Sequence, residues 1–107
     1  MTRYGVYHLS QDLLEEDPDL YENLNFGDFE GSFLEIREHL DFIATVEDVE
    51  SPEEVFEATQ NRDENWSNES KVTDLQDESP RSSMVGDVFV SIKGDAYMVD
   101  IDGFKRI

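Results

Sequence analysis

The side chains with chemical potential in this sequence are two histidines and an unusual number of carboxylates. His8 and His39 are the only histidines. A catalytic or zinc site built on either would need carboxylates to converge on it from distant positions, which no local spacing indicates, so both are read as structural or surface residues. Cysteine is absent, which removes thiolate metal sites, cysteine nucleophiles and disulfides together. The run Asp12, Glu15, Glu16, Asp17 and Asp19 is dense enough to suggest Ca²⁺ or Mg²⁺. A calcium loop, however, requires Gly at its sixth position, and counting from Asp17 places Glu22 there. Asp100-Ile101-Asp102-Gly103 reads as a turn after a strand, where Asp and Gly serve the backbone. Gly86-Asp87 reads as a bulge that re-aims a strand. The expectation is therefore no catalytic residue, no metal and no cofactor: a protein that is not an enzyme.

What the carboxylates do collectively is more informative. The chain carries 27 Asp and Glu against 8 Lys and Arg, a formal net charge of −19. Residues 1–30 hold 8 acids and 1 base, 31–80 hold 15 and 3, and 81–107 hold 4 and 4, so the surplus belongs to the first 80 residues. Such a chain is repelled by nucleic acid and by anionic membranes, and attracted to basic partners. One reading is a decoy: carboxylates spaced like phosphates, presented to a basic host protein that handles nucleic acid, in restriction, CRISPR defence or transcription. The candidate partner-binding face comprises Asp12, Glu15, Glu16, Asp17, Asp19, Glu47, Asp48, Glu50, Glu53, Glu54, Glu57, Asp63 and Glu64. That reading requires the acids to gather on one side of the folded body. The alternative is a small structural or regulatory module whose acidity reflects solubility or adaptation to high salt.

The elements that must position these groups belong to a single domain, 1–107, since 107 residues with 37% hydrophobic content close one core. The predicted class is α+β: a small mixed or antiparallel sheet of about four strands, a C-terminal β-hairpin, and one or two short helices packed on it. Residues 3–9 alternate as a strand covered on both faces, with Tyr4, Val6 and His8 on one side. Residues 10–31 alternate acids with lone apolar residues, punctuated by Pro18, Gly27 and Gly31, and predict an irregular connection containing at most a helical turn. Ser32-Phe33-Leu34-Glu35 has capping-box form and predicts about two helical turns. Residues 41–47 read as a second strand. Ser51-Pro52-Glu53-Glu54 combines a capping Ser, Pro at the first helical position and acids at the positive end of the helix dipole, and starts a helix reaching Gln60. Residues 61–83 are a long polar loop anchored by Trp66 and Val72. Residues 84–92 and 96–101 form a hairpin about Gly94, and Phe104 and Ile107 in the tail lie over the sheet.

The order of these motifs resembles a known family. Tyr4, Val6, Tyr7 and Leu9 in the first strand, Ile43-Ala44-Thr45-Val46 followed by the capped helix from Ser51 to Phe56, and the Asn/Trp loop come first. Arg81-Ser82-Ser83-Met84-Val85-Gly86-Asp87-Val88 before the hairpin and a closing Tyr97, Val99, Asp100, Gly103, Phe104, Lys105 and Ile107 complete the set. It is similar to the YodL-like domains and related small proteins of bacteriophages and plasmids, with Met84 where that pattern often has Ser or Thr. The resemblance implies a mobile-element accessory protein without established enzymatic activity or cofactor. The N-terminal residues show no signal-peptide run, and nowhere do roughly 18 apolar residues occur together, so the expected location is the cytoplasm, of the host cell if phage-encoded.

Overall fold

A computed structural model describes residues 2–26 and 29–107; the predicted break at Gly27 lies outside them. Strands β1 (Thr2–Leu9), β2 (Leu40–Val49), β3 (Val72–Thr73), β4 (Val88–Ser91), β5 (Ala96–Asp100) and β6 (Gly103–Arg106) form one sheet in the order β3-β2-β1-β4-β5-β6. Every adjacent pair is antiparallel. The class is α+β as predicted, with six strands rather than four. The two unpredicted strands are both short. β3 lies inside the polar loop, and β6 is the tail, which pairs with β5 instead of lying across the sheet.

The alternation read in β1 decides the layering. Tyr4, Val6 and His8 are buried toward one side, and Leu9 toward the other. On the first side Val6 meets Ala44, Val46, Phe89 and Val99, capped by Val55 and Trp66. On the second, Leu9 meets Val88, Met98 and Leu40, capped by Leu13, Leu24 and Ile36. The sheet is thus a middle layer with a separate apolar cluster on each face. Register irregularities between β1 and β2 fall at Thr2/Arg3 and Val6/Tyr7. They provide the extra twist that lets a long strand pair bend around these two clusters.

Helix α4 (Pro52–Ala58) covers the first face, and its start follows its sequence signal. Ser51 Oγ accepts from Glu54 N at 3.3 Å, and Glu54 Oε2 reaches back to accept from Glu50 N at 2.8 Å. The second face is covered by α1 (Leu13–Glu16), α2 (Pro18–Asn25) and α3 (Phe33–Ile36). Two of these replace the expected irregular connection. Pro18 is the first residue of α2, and Asp17 accepts from Leu20 N at 3.1 Å, so the proline starts a helix rather than breaking one. Ser32 does not cap α3 through its side chain, and the predicted two turns are one α-helical turn followed by a 3₁₀ turn, Arg37–His39. Helices this short hold only by tertiary packing, here of Leu13, Leu24 and Ile36. No described helix is long and apolar enough to cross a membrane.

Candidate functional site

Two features could carry function: a carboxylate-lined groove beside α4, and a buried polar cluster where the 61–83 loop meets β1. The loop is tied down by its own amides. Asn61 and Asn65 donate through Nδ2 to Pro80 O at 3.1 and 3.0 Å, and Trp66 N donates to Asn61 Oδ1 at 2.8 Å. Trp66 is 2% exposed, and its indole N–H donates to Arg81 O at 2.7 Å. It is the core anchor its sequence setting suggested.

Below the loop, Asp87 is fully buried and saturated with donors. Oδ1 accepts from Leu9 N at 2.8 Å and from Arg81 Nη2 at 2.8 Å, while Oδ2 accepts from Arg81 Nη1 and from Met84 N, both at 2.7 Å. A two-pronged guanidinium pair completed by two amide donors satisfies a buried carboxylate in the way burial demands. The Gly86-Asp87 step is accordingly a turn and not a bulge. Asp87 N donates to Met84 O at 3.0 Å, and Gly86 has φ +97°. A Cβ at Gly86 would stand 3.1 Å from Leu24 O and 3.3 Å from Leu9 Cδ2, so both the backbone angle and the space select glycine.

His8 completes the cluster. It is 4% exposed, with Nε2 3.0 Å from Ser83 Oγ and 3.9 Å from Asp87 Oδ2. The residue types are those of a Ser-His-Asp relay, but the geometry differs. A relay places serine and carboxylate on opposite ring nitrogens, whereas here both lie at Nε2. Ser83 is itself 3% exposed, and the Asp87 charge is matched by Arg81. The arrangement clasps β1 to the segment before β4. Burial lowers the His8 pKa from 6.5 to about 4, with the Arg81 charge acting the same way and the Asp87 and Asp77 carboxylates opposing it, so the ring is neutral near pH 7. No local motif signals this cluster, because His8 and Asp87 are joined only by the fold. The available hint was Arg81, Gly86 and Asp87 standing together in the motif that carries the resemblance.

The carboxylates named from the sequence do not share one face. Asp12, Glu15, Glu16, Asp17 and Asp19 are exposed on α1 and α2 or their caps, over the Leu9 side of the sheet. Glu53, Glu54 and Glu57 are exposed on α4, over the Val6 side, with Asp48 and Glu50 before it and Asp63 and Glu64 after it. Glu47 is half-buried in β2 opposite Arg3. The expected single acidic face is therefore divided by the sheet, because the chain passes from β1 to one layer and from β2 to the other. The α4 group does form a continuous surface. Adjoining hollows of about 450 and 490 Å³ share Glu57, Ala58, Arg62 and Glu69. Their other carboxylates are Asp48, Glu50, Glu54, Asp63 and Glu64, and Glu69 is the one that the sequence reading missed. The cations lining it are Arg62, which is paired with Glu57 at 2.6 Å, and Lys71. No group of three or more His, Asp or Glu among the described residues is placed to hold a metal ion. No protein-family model matches the chain, and no curated protein and no solved structure shows significant similarity to it.

Proposed function

We propose that this chain is a non-enzymatic binding protein whose α4 side engages a basic partner, of the kind that otherwise binds nucleic acid. The observation that carries the reading is the groove from Asp48 to Glu69, where seven carboxylates face two cations and one of those is already neutralised within the groove. Carboxylates crowded along a concavity focus a negative potential, which accelerates encounter with a basic surface and selects it over neutral ones. Rim charges of this sort tune association rate and salt dependence more than final affinity. In this reading α1 and α2 are a second acidic surface outside the contact. The resemblance to mobile-element domains suggests a phage or plasmid origin, the host cytoplasm as the place of action, and a host defence or transcription protein as the target.

The test is binding to a panel of basic nucleic-acid-handling proteins at about 50 mM ionic strength and upward. A complex should form, weaken steeply with salt, and be displaced by duplex DNA. E54Q/E57Q/E64Q should weaken it, and D12N/E15Q/E16Q should leave it nearly unchanged. Failure of every pair at low salt removes the proposal.

The division of acids between both layers favours a second reading, in which the charge maintains solubility in concentrated salt. Thermal melts with and without molar KCl separate the two. A salt-adapted fold loses stability sharply when its self-repulsion is unscreened.

A further inference from the structure

The sheet ends on two unlike edges. β3 offers only two residues and leaves the ladder at Asp74, whose φ is +52°. β6 is four residues long and lies at the opposite end of the strand order. Ile107 N donates to Ala96 O at 3.0 Å, and further along the pair Lys105 stands opposite Met98 and Gly103 opposite Asp100. Because bonding alternates along an antiparallel ladder, Gly103 and Lys105 turn their amides and carbonyls toward β5, while Phe104 and Arg106 turn theirs outward. No described backbone group bonds to those outward amides and carbonyls. Lysines commonly guard such an edge, but Lys105 turns to the Leu9 side of the sheet, where Nζ donates to Phe29 O. On the other side Phe104 meets Phe56 with ring centres 6.1 Å apart, and a hollow of about 220 Å³ beside them is bounded by Val99, Asp100, Ile101 and Gly103. Ile101 is 63% exposed there.

We propose that β6 pairs antiparallel with β6 of a second copy of this chain, joining two six-stranded sheets edge to edge about a two-fold axis. Charge selects both the partner and the register. β6 belongs to the stretch 81–107, which holds as many bases as acids in a chain of net charge −19, so two copies approach with least repulsion at this edge. A two-fold pairing that brings the outward-facing groups together centres on Phe104, Lys105 or Arg106. Centres at Lys105 or Arg106 set like charges directly opposite each other, which destabilises a ladder. The Phe104 centre instead sets the two Phe104 side chains together and places Arg106 of each copy opposite the Asp102 turn of the other. The alkyl stem of that arginine then covers the hollow beside Ile101. Arg106 gives up only an exposed ion pair with its own Asp95, which costs little. The contact stands independently of the α4 groove, since the hollow and the groove share no lining residue.

The experiment is sedimentation velocity on the intact chain from about 10 μM to about 1 mM, the range in which a small interface associates. A dimer should form, and it should strengthen as salt rises from about 0.05 to about 0.5 M, because screening relieves the repulsion between the two bodies. A complex at the α4 groove weakens over the same range. Hydrogen exchange should show the Phe104 and Arg106 amides gaining protection with concentration, while the Lys105 amide, already bonded to β5, changes little. D102R and R106D, both at exposed positions, should each weaken self-association roughly tenfold, since the symmetry applies each change twice. Mixing the two variants, or combining both changes in one chain, should restore it, because each Asp then faces an Arg again. A monomer under all these conditions, a dimer indifferent to either substitution, unprotected Phe104 and Arg106 amides at high concentration, or no recovery on mixing would each overturn the proposal. Loss of the dimer in E57Q/E64Q would move the contact to the α4 groove and overturn it as well.

Discussion

Acidification should expose the burial of His8. In the folded protein the imidazole takes up a proton only near pH 4, against 6.5 for the unperturbed group, because burial penalises the charged ring. The unfolded chain therefore binds a proton that the folded chain refuses between those values, and stability falls as pH drops through that window. The contribution is fully present above pH 6.5 and exhausted below about 4. A separation of that size corresponds to about 3 kcal/mol in total, of which about 2 kcal/mol is lost by pH 5. The net charge of −19 acts in the opposite direction, since protonating surface acids relieves repulsion. The measurement must therefore be a difference: urea unfolding of the native chain and of His8→Gln, whose amide nitrogen replaces Nε2, from pH 7.5 to pH 5. The stability gap between the two should shrink by about 2 kcal/mol over that range. A gap constant to within about 0.5 kcal/mol would refute the neutral buried imidazole. Should His8→Gln not fold, the NMR titration of His8 in the native protein decides the matter, with a midpoint near 6.5 refuting the reasoning.

Other perturbations probe the supports of the fold. Gly86→Ala should cost about 1–3 kcal/mol in denaturant melts, because φ is +97° and the added Cβ meets the Leu24 carbonyl. Asp87→Ala should cost about 3–5 kcal/mol, since it strands the Arg81 guanidinium and the Leu9 and Met84 amides. Asp87→Asn should cost less, because one carbonyl oxygen remains to accept. Ser51→Ala should lose about 1 kcal/mol, while Ser32→Ala should lose much less despite the similar sequence, because only Ser51 caps its helix through the side chain.

Strong local chemistry was legible in the sequence, and distant pairing was not. The cap at Ser51-Pro52 and the Gly94 turn are decided within a few residues and formed where expected, whereas the strand expected from Met84 begins only at Val88, because residues 84–87 make the turn that Asp87 N closes onto Met84 O. Two-sided burial of β1 was visible because apolar side chains fall on both of its alternations. Asp17-Pro18 carried the same kind of signal as Ser51-Pro52, but the surrounding acids masked it, and α2 owes its stability to Leu24 meeting the far side of the sheet. The tail's pairing with β5 depends on register across a second tight turn at Gly103, which a five-residue segment does not announce. The Arg81-Asp87 clasp is local, yet its link to His8 and Leu9 spans most of the chain. The acidic residues were simple to count, but their division between layers follows from topology alone.

The position of β1 also governs how the molecule comes into being. β1 is an interior strand whose two neighbours are β2 and β4, both later in the chain, and β4 begins only at Val88. Its second edge stays unpaired until β4 has been synthesised, so the nascent protein carries an unfinished, sticky ribbon until then. Contacts this remote in sequence place folding toward the slower end for a domain of this size. Stop codons shortly before the Arg81–Val88 segment should accordingly yield aggregates rather than smaller soluble versions.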